Sequence, residues 1–287
     1  VKQEKLFELI IIVDNNKFQS DRTVESTSNL GKLEEKFVSF GINTIKVNGN
    51  NVFDFSKSIE ELINNNQPSA IIADTVKGNG VSQLEAKNMK SGEFYKFHSG
   101  SITDELYKKC ISELSSKINQ TLNMNSISLE LKLENYNQSK SVISNSEKKE
   151  SLINEYSDSL LKEARKNDEI IALDGDLILD TGLIPFEKEF PNRFFECGIA
   201  EQDMVSQAGT LALEGFLPIV HSFASFLSTR PNEQIYNNST ENSKIIYVGS
   251  LAGILPGGPG HSHQSVRDIA SLSGIPNLKI IQPSCPK

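Results

Sequence analysis

Phe194-Phe-Glu-Cys-Gly-Ile-Ala-Glu-Gln-Asp-Met-Val-Ser-Gln-Ala-Gly-Thr-Leu-Ala-Leu-Glu-Gly-Phe-Leu-Pro-Ile-Val220 decides the architecture. Phe194-Phe-Glu196 reads as a short strand that turns at Gly198. Gln202–Leu213 then carries apolar residues at spacings of three and four, as a helix lying on a sheet does, and Leu217–Val220 reads as the next strand. Strand, helix, strand within so few residues is a βαβ unit, whose strands run parallel under covering helices.

The same alternation extends in both directions. Strands are expected at Leu9–Val13, Asn43–Val47, Ala70–Val76, Ile170–Leu173, Lys244–Val248 and Leu278–Ile281. Helices are expected at Lys32–Phe40, Phe55–Asn64, Asp104–Ile118, Glu147–Lys166 and Ser265–Ser273. The fold class is therefore α/β. From residue 119 to 145 the composition turns to Asn and Ser with little apolar periodicity, which reads as a linker between an α/β unit at 1–118 and another at 146–287. The first residue is Val1, a strand follows almost at once, and an apolar run lies close to Lys287, so each unit is expected to be cut short at its outer end.

Of the 287 residues 37% are apolar and 23% charged, the balance of a globular protein. Lys and Arg number 29 against 37 Asp and Glu, a net charge of −8 that offers nucleic acid or an anionic membrane no basic field. The longest apolar run, Leu9–Val13, is far short of the roughly 20 residues that cross a bilayer. Cys110, Cys197 and Cys285 are too scattered for a disulfide framework or a metal knuckle, which points to a reducing, cytoplasmic setting.

Four clusters carry candidate chemistry. Asp14-Asn-Asn-Lys-Phe-Gln-Ser-Asp21 follows the first strand, where open parallel sheets place ligands; its oxygens suit a hard cation, though on these residues alone a polar turn is the simpler reading. Glu196, Glu201 and Asp203 surround a helix start, where the dipole favours negative charge and capping alone accounts for them. A catalytic Glu201 would have to be partly buried and hold a proton for a ligand nitrogen. Phe223 and Phe226 lie three apart at a strand end, a spacing shared by core aromatics. Gly257-Gly-Pro-Gly-His-Ser-His-Gln264 presents His261 and His263, either as weak zinc ligands without a third partner or as histidines lining a cavity.

In this order the four clusters resemble transketolase and its relatives among the thiamine diphosphate enzymes, over nearly the whole chain. The resemblance implies two thiamine-diphosphate-binding folds: the latter half of the pyrophosphate-binding domain first, then most of the pyrimidine-binding domain. It implies that Asn16 and the carbonyl of Phe18 bind Mg²⁺ or Ca²⁺, the family's Gly-Asp-Gly metal segment lying upstream of Val1. Asp174-Gly-Asp176 is superficially similar to that segment; Asp176 matches an aspartate near the cofactor that does not bind metal. Glu201, in Ala200-Glu-Gln202, looks like the glutamate that hydrogen-bonds N1′ of the aminopyrimidine and so promotes formation of the ylide. Phe223 and Phe226 match the aromatics packed on that ring. His263 matches a histidine near the reacting substrate, and His98, in Phe97-His-Ser-Gly100, the first domain's active-site histidine.

Two positions depart from transketolases that act on sugar phosphates: Pro259 stands in register with an Asp, and Gly249 with a His. The expected activity is transfer of a two-carbon ketol unit from a ketose to an aldehyde, with sugars or sugar phosphates as substrates. A homodimer, or a complementary half as in split transketolases, is the expected partner. Deoxyxylulose-phosphate synthase and the 2-oxoacid dehydrogenase β subunit share the glutamate and are the alternatives, and these residues alone are expected to be inactive. A zinc hydrolase using His261 and His263 is a further, weaker reading.

Overall fold

The computed structural model describes residues 6–89, 92–98, 101–129, 152–254 and 259–285. The chain divides into two compact units, residues 1–98 with 102–120, and residues 99–101 with 121–287.

In the first unit β1 (Ile10–Asn15), α1 (Leu33–Ser39), β2 (Asn43–Asn48), α2 (Val52–Ile63) and β3 (Ser69–Asp74) precede the long helix α3 (Asp104–Met124). The sheet is parallel with order β1-β3-β2. Ala70-Ile-Ile-Ala73 is the unbroken apolar run because β3 is central and covered on both faces, while β1 and β2 alternate between half-buried and exposed. Register pairs Asn15 and Asn48 with Asp74, so three chain turns leave the sheet side by side. The Asn51 side chain starts α2 by accepting from the Phe53 and Asp54 amides at 3.1 and 3.4 Å.

The second unit comprises α4 (Leu152–Ala164), β4 (Ile170–Asp174), α5 (Ile178–Thr181), α6 (Ile184–Glu189), β5 (Phe194–Glu196) and α7 (Glu201–Leu213). It continues through β6 (Leu217–Phe223), α8 (Ala224–Leu227), α9 (Asn232–Thr240), β7 (Ile246–Ser250) and α10 (Asp268–Leu272). Its parallel sheet has order β5-β4-β6-β7. Met204, Val205 and Ala208 of α7 pack on Ile171 and Leu173 of β4 and Val220 of β6, with Leu227 and Ile235 closing the cluster. Each large apolar side chain buried there contributes roughly 1.5–3 kcal/mol. Gly209 lets α9 approach, since a Cβ at that position would run into the Asn238 carboxamide, whose Nδ2 donates to the Val205 carbonyl at 2.9 Å.

The α/β reading and its parallel sheets hold. Leu278–Ile281, expected as a strand, is not one: it pairs with no neighbour among the described residues, and Ile281 is 85% exposed. β-branched residues favour extended chain, but a strand also needs an open ladder beside it. Residues 119–124, read as the start of a linker, continue α3 to Met124, and 130–151 lie outside the described residues. β3 stops at Asp74, which leaves Thr75 and Val76 in the loop beyond the sheet. Among the described residues no helix is long and apolar enough to cross a membrane.

Candidate functional site

At the carboxyl end of the second sheet, Asp174 of β4 stands opposite Glu196 of β5 and His221 of β6. Asp174 is fully buried and accepts from the Leu177 amide at 2.8 Å and the Thr181 hydroxyl at 2.9 Å, fixing the turn into α5. Within that turn Asp176, also fully buried, takes a left-handed φ of 57°. Glu196 Oε1 accepts from the Asp176 and Gly198 amides, both at 2.9 Å, and so fastens the β4 turn to the β5 turn. Glu196, the first of the three acidic residues at this helix start, is thereby a brace. Asp203 lies in the first turn of α7 and accepts from the Gln207 amide group at 2.6 Å.

Glu201 opens α7 with only 5% of its surface exposed. Its Oε1 accepts from Arg230 Nη1 at 2.5 Å. The Arg230 guanidinium carbon also lies 3.7 Å from the centroid of the Phe226 ring, within cation–π range. Phe223, at the end of β6, and Phe226, in α8, have centroids 5.5 Å apart. His263 meets both, at 5.9 Å from Phe223 and 5.0 Å edge-on from Phe226. Burial, and then the Arg230 charge, hold the His263 pKa below its ordinary value, so the ring is neutral at pH 7. His261 is exposed in the same turn, and no group of three or more His, Cys, Asp or Glu residues among those described is arranged to hold a metal.

In the first unit the turns after β1 and β3 enclose a cleft of about 540 Å³, lined by Asp14, Asn16, Gln19, Asn50, Thr75, Lys77 and His98 among others. Asn16 Oδ1 accepts from the Phe18 amide at 2.8 Å, closing an Asx turn, and its Nδ2 donates to Asp14 at 2.9 Å. The Thr75 hydroxyl donates to the other Asp14 oxygen. Lys77 donates to the Gln19 and Ser20 carbonyls at 2.6 and 3.0 Å and lies over the Tyr95 ring, which pins the loop holding Asn16. Asp14, Asn16, Gln19, Asn50 and Thr75 bring carboxylate, carboxamide and hydroxyl oxygens to the cleft lining, the ligand type a hard cation takes, beside the nitrogens of Lys77 and His98.

The second unit therefore brings together Glu201, Phe223, Phe226 and His263, and the first unit brings Asn16 and His98 onto one cleft. Asp176 is buried beside the Glu196 brace. Arg230, Lys77 and His221 escaped the sequence reading. Lys77 directly follows the expected strand Ala70–Val76, a readable signal, whereas Arg230 takes its meaning from Glu201, 29 residues away.

Residues 150–287 match the family model described as "Transketolase, pyrimidine binding domain". Human transketolase is 30% identical over 288 aligned residues, which cover 98% of this chain and 44% of that protein. Residues 150–287 belong to the transketolase pyrimidine-binding domain family. Membership implies thiamine diphosphate as the cofactor. The chain is also 37% identical, over 128 residues, to 1-deoxy-D-xylulose-5-phosphate synthase of Natranaerobius thermophilus, covering 45% of this chain and 20% of that protein. A solved structure of a split-gene transketolase, an inactive β4 tetramer, is 32% identical over 45% of this chain and 41% of that one, with a TM-score of 0.39. The chain spans less than half the length of these curated relatives.

The residues present suit the pyrimidine end of the cofactor: a buried carboxyl at a helix start, and two aromatic rings with a neutral histidine, joined to it through Arg230. Gly249 of β7 has a structural reason to lack a side chain, since a Cβ there would lie 3.0 Å from both Cα and Cβ of Ala224 in α8. A histidine at that position would push α8 and its aromatic residue outward.

Proposed function

We propose that the protein is a thiamine diphosphate-dependent, transketolase-like transferase that moves a two-carbon ketol unit from a ketose donor to an aldehyde acceptor. The carrying observation is Glu201, 5% exposed at the start of α7 and grouped with Phe223, Phe226 and His263. When bound, thiamine diphosphate supplies the electron sink that lets a bond beside a ketose carbonyl break and reform.

Glu201 would carry the proton shared with N1′ of the pyrimidine, in a pocket where little water competes. Phe223 and Phe226 would hold the flat faces of that ring and exclude solvent. His263, neutral at pH 7, can both accept and donate at a substrate hydroxyl. Asp176 would stand near the cofactor as buried support. Asn16 Oδ1 and the Phe18 carbonyl would give Mg²⁺ or Ca²⁺ two oxygen ligands, and His98 would serve the diphosphate and substrate from the same cleft. Sugars or sugar phosphates as substrates, a homodimer or a complementary half as partner, and a cytoplasmic setting complete the reading.

The test is titration of thiamine diphosphate with Mg²⁺ into the full-length protein that contains these residues and its Glu201→Gln variant, following the aminopyrimidine tautomer signal and donor cleavage. Binding in both, with the signal and cleavage reduced on the order of 10²-fold or more only in the variant, is expected. Absence of binding in both would sink the thiamine reading. The 37% identity to a deoxyxylulose-phosphate synthase favours a second reading with the same pyrimidine site. Formation of 1-deoxy-D-xylulose 5-phosphate, with no ketol transfer, would select it.

A further inference from the structure

Arg230 makes, inside its own chain, the contacts that the pyrimidine reading assigns to a ligand. Its guanidinium is planar and nitrogen-rich; it donates to Glu201 Oε1 at 2.5 Å and lies 3.7 Å over Phe226. A pyrimidine bound between Glu201 and this aromatic pair needs the same carboxylate and the same aromatic surface. Two further observations make the arrangement reversible. The Arg230 backbone is anchored, its amide donating to the Phe226 carbonyl at 2.9 Å and its carbonyl accepting from Gln202 at 3.3 Å. Its side chain keeps 41% of its surface in solvent, so rotation about its own bonds releases it without moving α7 or α8.

We propose that Arg230 is an internal occupant of the pyrimidine pocket, displaced from Glu201 and Phe226 when the cofactor's ring enters. This rests on the thiamine reading above. Geometry requires displacement: a pyrimidine packed on Phe226 beside Glu201 needs the aromatic surface that the guanidinium covers at 3.7 Å. The fraction of molecules with Arg230 in place then weakens apparent cofactor affinity in proportion.

The experiment is calorimetric titration of thiamine diphosphate with Mg²⁺ into the full chain and its Arg230→Met and Arg230→Lys variants, beside the NMR signals of the Arg230 guanidinium in the unsubstituted protein. Arg230→Met is expected to bind on the order of tenfold more tightly, with Arg230→Lys between it and the parent. Rotation of the guanidinium about Nε–Cζ should be slow without the cofactor and fast with it. Equal or weaker binding by Arg230→Met, or slow rotation persisting in the complex, would overturn the displacement while leaving the thiamine reading intact. Absence of binding to the parent and both variants would overturn that reading and this inference together. Should Arg230→Met not fold, Arg230→Lys and the guanidinium signal decide the question.

Discussion

Tyr156 and His221 are joined by a hydrogen bond of 2.6 Å between the phenol and Nε2, although they lie 65 residues apart. The other ring nitrogen, Nδ1, is 3.1 Å from the Leu173 carbonyl. A carbonyl only accepts, so Nδ1 carries the hydrogen and donates to it, and Nε2 accepts the hydrogen bond that the phenol donates. This chain of two bonds ties α4 to the two central strands of the second sheet, directly beneath the site.

Acid should loosen that arrangement. His221 is fully buried, and burial pushes its pKa from 6.5 down to about 4. Above pH 6.5 the ring is neutral folded or unfolded and contributes nothing to pH dependence. As pH falls from 6.5 to 4 the unfolded chain takes up a proton that the folded chain refuses, so stability drops by about 1.4 kcal/mol per pH unit, roughly 3 kcal/mol in all. Urea unfolding of the parent and a His221→Gln variant between pH 7 and 4 measures it; parallel slopes in the two would refute the assignment.

Removing the phenol donor acts on the same pair from the other side. Tyr156→Phe strands the buried Nε2 acceptor and should cost about 1–3 kcal/mol at pH 7. Denaturant midpoints read the loss, and a change below half a kcal/mol would mean that water replaces the phenol.

Gly209 and Asn238 form a second such test. Gly209→Ala places a methyl group against the Asn238 carboxamide and should destabilise by about 1–3 kcal/mol through overpacking. Asn238→Ala makes room but removes the bond from its carboxamide to the Val205 carbonyl. The double variant should therefore lose less stability than the sum of the two single losses, and strict additivity would show that the two sites do not touch.

What the sequence reveals of this fold follows from the range of the interactions. The sheets were legible because Ile170–Leu173 and Ala70–Ala73 are central strands whose unbroken apolar runs match their burial. α9 was not: Asn-Glu-Gln-Ile-Tyr-Asn-Asn-Ser-Thr is poor in strong helix formers, and the helix exists because Ile235 and Asn238 dock on α7 and its neighbours. Glu201, Phe223, Phe226 and His263 were legible as local motifs. Arg230 was not, since its meaning lies in a bond to Glu201 across 29 residues. Leu278–Ile281 shows the converse, a strand-like composition with no ladder to join.

Cysteine chemistry separates the three thiols. Cys197 sits beside Glu196, and burial, followed by the charges of Glu196, Asp203 and Asp174, pushes its pKa up to about 12. Cys110 is buried and Cys285 exposed. Because the thiolate is the reacting form, iodoacetamide at pH 8 should label Cys285 well before Cys197 or Cys110. Peptide mapping over time checks the order, and fast labelling of Cys197 would mean that the turn carrying Glu196 opens readily.

Asn16 gives the last prediction, which concerns the metal. Its side chain both closes the Asx turn onto Phe18 and lines the cleft with Asp14. Asn16→Ala removes one proposed oxygen ligand and frees the backbone that presents the second, so two of the protein's contributions are lost through one substitution. Mg²⁺ gains little from a single carbonyl on an unordered loop. The Mg²⁺ concentration giving half-maximal thiamine diphosphate binding should therefore rise by about tenfold or more, with cofactor binding at saturating metal restored in part. Asn16→Asp keeps an oxygen that can accept from Phe18 and should shift that midpoint far less. An Asn16→Ala protein with an unchanged Mg²⁺ midpoint would place the cation elsewhere and reduce Asn16 to a turn residue.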